Sequence, residues 1–120
     1  MSTVGELMAG SAPAALADRL GQSPVVSLAA TGSTQADAAA ITSTFTLIST
    51  APSSTGVLLK QAHGQPETVI YNGGSNTVKI YGNGTEKINN IAGATGISLP
   101  SAKGAILVAN GNQWIGIVSA

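Results

Sequence analysis

Cysteine is absent from the 120-residue chain. A disulfide framework, a thiol nucleophile and a thiolate metal site are therefore excluded. Charge is scarce as well: 8% of residues are charged, against about 25% in an average soluble protein. Five basic and five acidic residues cancel to a formal net charge of zero. No electrostatic footprint for nucleic acid or for anionic lipid results, so neither is expected as a partner. Aromatics make up 3%, too few for a platform on which bases stack. No run of about 18 apolar residues occurs, so no membrane-spanning helix is expected. The first 30 residues carry Glu6, Asp18 and Arg19, and no basic stretch precedes an apolar one. A standard secretion signal is not expected from that pattern.

What remains is small and apolar or small and polar. The apolar fraction is 43%, drawn mostly from Ala, Val, Ile and Leu, with 15 Gly among many Ser, Thr and Asn. That fraction argues against disorder. The length favours one domain, able to bury roughly two-thirds of its unfolded surface. A surface with so little charge favours association. The composition thus points to a protein that works packed against partners.

Two regions differ in pattern. Residues 1–24 read as a partly helical N-terminal arm. Val4, Leu7 and Met8 form one short helical stripe. Ser11 is placed to cap a second short helix, with Pro13 in its first turn. Leu16 and Leu20 share a face at i, i+4 spacing, and Gly21 is a stop. Helices this short are unstable alone. The arm residues Val4, Leu7, Met8, Leu16 and Leu20 therefore either cover an edge of the chain's own sheet or anchor it to a partner. Full ordering of such an arm requires something to hold it, and an interface with another subunit or a larger surface is the reading taken here.

Residues 25–120 read as a single β domain. Val25-Val26-Ser27-Leu28 is a short strand. Residues 35–40 are Ala-rich, with Thr34 and Asp37 at a capping-box-like spacing. They are expected as one or two helical turns or as an irregular extended segment. Residues 42–50 alternate, with Phe45, Leu47 and Ser49 facing one way and Thr44, Thr46 and Ile48 the other. Further strands are expected at 56–60, 68–71, 77–81, 87–91, 96–99, 105–109 and 113–118. Asn72-Gly73-Gly74-Ser75-Asn76, Asn83-Gly84 and Asn110-Gly111-Asn112 separate them. Asn-Gly is a strong hairpin signal because both residues accept positive φ. Two hairpins are expected, 105–109 with 113–118 and 68–71 with 77–81. Short strands at this spacing predict a mainly β fold, a β-sandwich or jelly-roll-like domain of short antiparallel strands. No fixed period repeats, which weighs against a solenoid.

Candidate sites are few. His63 is the only His, in the polar setting Gln61, Gly64, Gln65, Pro66. It reads as an exposed loop residue, not as a general base, which needs a nucleophile and an orienting acid. One His and no Cys do not make a zinc site, and no cofactor is expected. Gly82-Asn83-Gly84 is a turn and not a phosphate loop, because no Gly-Lys-Ser/Thr follows. Trp114 in an alternating strand reads as a core or interface aromatic. Tyr71 and Tyr81 end their strands and are, with Trp114, the candidates for a ligand-stacking or interface surface.

Several of these segments together resemble a β module of tailed-bacteriophage virion proteins. The resemblance is carried by Gly56-Val-Leu-Leu, by the run from Thr68 to Tyr81 (TVIYNGGSNTVKIY), and by Ile88-Asn89. It continues through Ile97-Ser-Leu-Pro, Gly104-Ala-Ile-Leu-Val and Gln113-Trp114, with Thr31-Gly-Ser-Thr-Gln-Ala upstream. It covers residues 31–118. Lys60 stands where that pattern has Pro, Asn90 where it has Gly, and Gly82 where it has Pro. The resemblance implies a head decoration, head-fibre or tail-fibre protein, usually trimeric and without catalytic residues. On that expectation the chain is made in a bacterial cytoplasm and resides on the virion, with the major capsid protein or other virion proteins as partners.

Overall fold

A computed structural model describes residues 25–63 and 67–119. The expected arm, with Val4, Leu7, Met8, Leu16 and Leu20, lies outside the described residues. The described chain is mainly β, and every expected strand is present. In order they are β1 (Val25–Ala29), β2 (Ala39–Ala40), β3 (Phe45–Thr50), β4 (Thr55–Leu58) and β5 (Glu67–Asn72). Then come β6 (Val78–Tyr81), β7 (Lys87–Ile88), β8 (Ile97–Leu99), β9 (Gly104–Asn110) and β10 (Gln113–Val118).

The strands do not form an antiparallel sandwich or jelly roll. The first six wind through two sheets as a solenoid-like stack of three turns. β1, β3 and β5 lie parallel in one sheet, and β2, β4 and β6 lie parallel in the other. Each turn of chain supplies one strand to each sheet. The stack is then closed by antiparallel strands. β8 pairs with β6, β9 pairs with β5 and β10 with β9. Short β7 joins the far edge beside β10. The larger sheet thus runs β1-β3-β5-β9-β10-β7 and the smaller β2-β4-β6-β8.

The turns are unequal, which explains the missing repeat. Phe45 sits opposite Val25 and Val69, 20 residues after one and 24 before the other. Val57 sits opposite Ala39 and Ile80, 18 and 23 residues away. The extra length falls in different corners, so no fixed spacing survives in the sequence.

Of the two expected hairpins, one forms. β9 and β10 pair through Ala109–Trp114 and Leu107–Gly116, with Gly111 at φ 65° in the turn. Residues 68–71 and 77–81 do not pair, since β5 and β6 belong to different sheets. The Asn72-Gly73-Gly74-Ser75-Asn76 string is a solenoid corner. It stacks on the corner one turn earlier: Gly73 N donates to Ile48 O at 2.9 Å and Asn76 Nδ2 to Ala51 O at 2.8 Å. A Cβ on Gly74 would collide with Ala51, so the close stacking needs glycine there. Asn83-Gly84 is likewise a corner, because β6 and β7 lie in different sheets.

Alternation places the core between the two sheets. Ile48, Val57, Ile70, Val78, Ile80, Ile88, Leu99 and Leu107 are fully buried there. Trp114 belongs to the same cluster.

The Thr34/Asp37 pattern forms a single 3-10 turn, Gln35–Asp37. Asp37 Oδ1 accepts from Thr34 N at 2.9 Å and from Thr34 Oγ1 at 2.8 Å. The Thr34 hydroxyl, then its backbone N–H, hold the carboxyl below the usual aspartate range. A depressed carboxylate stabilises above its unfolded pKa, and that contribution is lost as pH falls through the folded value. Asp37→Asn is therefore expected to lower the melting temperature at neutral pH. The difference from the parent chain should vanish in acid below the folded pKa, measured by circular dichroism melts across pH.

Candidate interaction face

β-strands send successive side chains to opposite sides. In the larger sheet one side is the core; the other carries the residues that matter here. Register aligns them in rows across the strands. One row runs Val25, Phe45, Val69, Ile106, Ile117 through β1, β3, β5, β9 and β10. Beside it lie Leu47 and Tyr71, ending at Gly104. On its other side lie Val108 and Ile115, with Glu67 at their margin.

Several of these side chains are open to solvent. Ile117 is 72% exposed, Val25 63%, Ile106 51%, Val108 50%, Tyr71 45% and Ile115 40%. Phe45, Leu47 and Val69 are half-buried between them. Single exposed apolar residues are ordinary, but an unbroken block over five neighbouring strands marks an interaction surface. The block has a polar border: Lys87, Gln113 and Asn110 share the end row, and exposed Ser27 and Ser49 lie at the opposite corner. An apolar centre inside a polar rim is the anatomy of a docking surface. Where Gly104 brings no side chain, a groove of about 240 Å³ opens between Tyr71, Ile106 and Ile117.

The aromatic candidates separate. Trp114 is 1% exposed and its Nε1 donates to Lys60 O at 3.1 Å. Tyr81 is buried, lies across Gly56, and donates its hydroxyl to Ser33 O at 3.2 Å. A Cβ on Gly56 would stand 2.6 Å from the Tyr81 ring. Only Tyr71 reaches the surface, at the edge of the apolar block. The three rings do not converge. His63 is exposed in a turn. Among the described residues no group of three or more His, Asp or Glu is placed to hold a metal ion. No helix among them is long and apolar enough to cross a membrane.

The apolar face was not singled out from the sequence, although a signal for it exists. Ala105-Ile-Leu-Val-Ala and Trp114-Ile-Gly-Ile-Val are continuous apolar runs, not alternating ones. Continuous runs belong to strands covered on both sides, and among the described residues only one side is covered.

Next to the face, Asn89 clamps β10. Its Nδ2 donates to Gly116 O at 3.1 Å and its Oδ1 accepts from Gly116 N at 2.9 Å. Asn90 N donates to Gln113 Oε1 at 3.0 Å. Both asparagines hold positive φ, so the Asn-Asn pair locks the edge of the sheet that carries Ile115 and Ile117. Compared with family models, curated proteins and solved structures, the chain matches none of them.

Proposed function

We propose that this chain is a structural, non-catalytic protein of a tailed-bacteriophage virion, a decoration (cement) protein of the head. The observation that carries the reading is the apolar, rimmed face of the larger sheet on a chain almost without charge. Such a surface is stabilised by being covered, and a protein that works packed among copies of itself and other shell subunits has that cover. The sequence resemblance over residues 31–118 supports the same reading.

The mechanism is passive. Contact with the major capsid protein or other virion proteins buries apolar surface across subunit boundaries. Anything that binds the assembled state and not the dissociated one stabilises it by mass action. In this reading the chain forms a homo-oligomer, a trimer, and residues 1–24 supply a further anchor through Val4, Leu7, Met8, Leu16 and Leu20. No cofactor or metal takes part.

The other structural reading is a head- or tail-fibre module that holds a host glycan. It calls for exposed aromatics beside polar groups. Trp114 and Tyr81 are buried, and Tyr71 borders an apolar groove, so the decoration reading is preferred.

Virions banded by density from cells carrying this gene test it. The chain is expected in the particle band by mass spectrometry, at a copy number comparable with the main shell protein. A few copies per particle would indicate a fibre. Presence in the lysate and absence from the band would overturn both.

A further inference from the structure

We propose that the apolar face of the larger sheet is where copies of this chain meet, outer sheet against outer sheet. The inference rests on the self-association in the reading above, takes a face-to-face pair as the unit of contact in place of the trimer named there, and does not depend on the virion.

Three observations select a second copy as the occupant. The first is size. Five strands about 4.8 Å apart, each contributing some five or six residues at about 3.3 Å, give a face on the order of 500 Å². Two such faces bury on the order of 1,000 Å², the lower bound of a specific interface.

The second is charge. In a symmetric contact each patch faces its own copy, so any charge within it would meet a like charge. The block of Val25, Phe45, Val69, Ile106, Val108 and Ile117 contains none, and Glu67 stands at its margin in the register. With five basic and five acidic residues in the chain, copies do not repel through net charge either.

The third is shape. The groove of about 240 Å³ beside Gly104 accepts one branched apolar side chain from an opposing sheet. The most exposed residue of the face, Ile117 at 72%, stands at its edge, as a knob beside a hole. Sheets that pack face to face interdigitate in this way about 10 Å apart.

The experiment is sedimentation of the full-length chain over a range of concentrations. It is run on the parent, on Ile106→Asp and Ile117→Lys singly, and on Ser53→Asp, an exposed corner away from the face. Because the substituted side chains point away from the core, the far-ultraviolet circular dichroism spectra of the folded variants should match the parent, while the melting temperature falls only by the stability that association adds. The parent is expected to be oligomeric. Each face variant should dissociate at a concentration at least about thirty-fold higher, the scale of a lost interface hot spot. Ser53→Asp should behave as the parent.

An oligomeric parent with equally oligomeric face variants would overturn the assignment of the surface while leaving self-association standing. A parent that is monomeric throughout would overturn both. In that event a dye specific for exposed apolar surface, applied to the full-length parent and to Leu16→Asp, identifies the cover. Binding gained only in Leu16→Asp would show that residues 1–24 occupy the face. Binding by the parent itself would show a face reserved for a different protein.

Discussion

Replacing Trp114 with alanine is expected to destabilise the chain by about 4 kcal/mol, the largest single effect within the described residues. Three losses add up there. The indole is fully buried between the sheets, and removing a buried aromatic down to alanine costs about 3–5 kcal/mol in transfer and cavity energy. The part-buried Lys60 carbonyl loses the donor that Trp114 Nε1 supplies at 3.1 Å, a loss that water partly makes good, so it adds under about 1 kcal/mol. Trp114 also faces Ile88 and Ala109 across its neighbouring strands, so the gap opens where the short β7 is held. Folded domains are stable by only about 5–15 kcal/mol, which makes this a large fraction. Urea denaturation followed by far-ultraviolet circular dichroism measures it, since the variant lacks the chain's only Trp. Trp114→Phe should cost less, because it keeps most of the volume and loses the hydrogen bond. Equal losses for the two variants would mean that the hydrogen bond, and not packing, dominates.

The second large effect is expected at Asn72. Its side chain is fully buried and uses both ends. Nδ2 donates to Asn76 O at 2.8 Å and to Leu99 O at 3.0 Å, while Oδ1 accepts from Gly74 N at 3.0 Å. One carboxamide thus shapes the corner between the two sheets and ties it to the end of β8. Asn72→Ala leaves three backbone groups without this partner. A loss of about 3 kcal/mol is expected from the cost of unsatisfied buried polar groups. Asn72→Asp is nearly isosteric but aims carboxylate oxygens at two carbonyls from a buried position. Burial and the facing carbonyls raise an aspartate's pKa. The variant should therefore be least stable at neutral pH and recover as acid protonates it. Denaturation at two pH values checks the sign. Asn72→Ala should show no such recovery relative to the parent.

Much of the β structure was legible from residue order. Every expected strand exists, because alternation and β-branching are local properties. In β3 the alternation sorts the side chains by face: Thr46 and Ile48 point to the core, Phe45 and Leu47 to the outer face. The Thr34/Asp37 spacing was legible for the same reason, since its hydrogen bonds span three residues. For Trp114 the sequence leaves core and interface both open, and its burial is decided by which side of β10 the smaller sheet covers.

Pairing was not legible. Asn110-Gly111-Asn112 and Asn72-Gly73-Gly74-Ser75-Asn76 look alike as turn signals, yet one closes a hairpin and the other rounds a corner. The difference lies in what the turn touches. Gly74 packs on Ala51 and Asn76 bonds to its carbonyl, partners 23 and 25 residues earlier in the chain. Parallel stacking of this kind needs no exact repeat, only strands of compatible register and corners of any closable length.

The candidate face divides in the same way. The sequence alone determined that β9 and β10 are apolar on both sides, through the runs at 105–109 and 114–118. It also determined that almost no charge interrupts them. Only the tertiary structure decided which side meets the core and which is left open. Side-chain alternation sets two faces for each strand, but the choice of buried face depends on the strands that stack against it. Here the smaller sheet covers one side of the larger, and Ile106, Val108, Ile115 and Ile117 are left on the other.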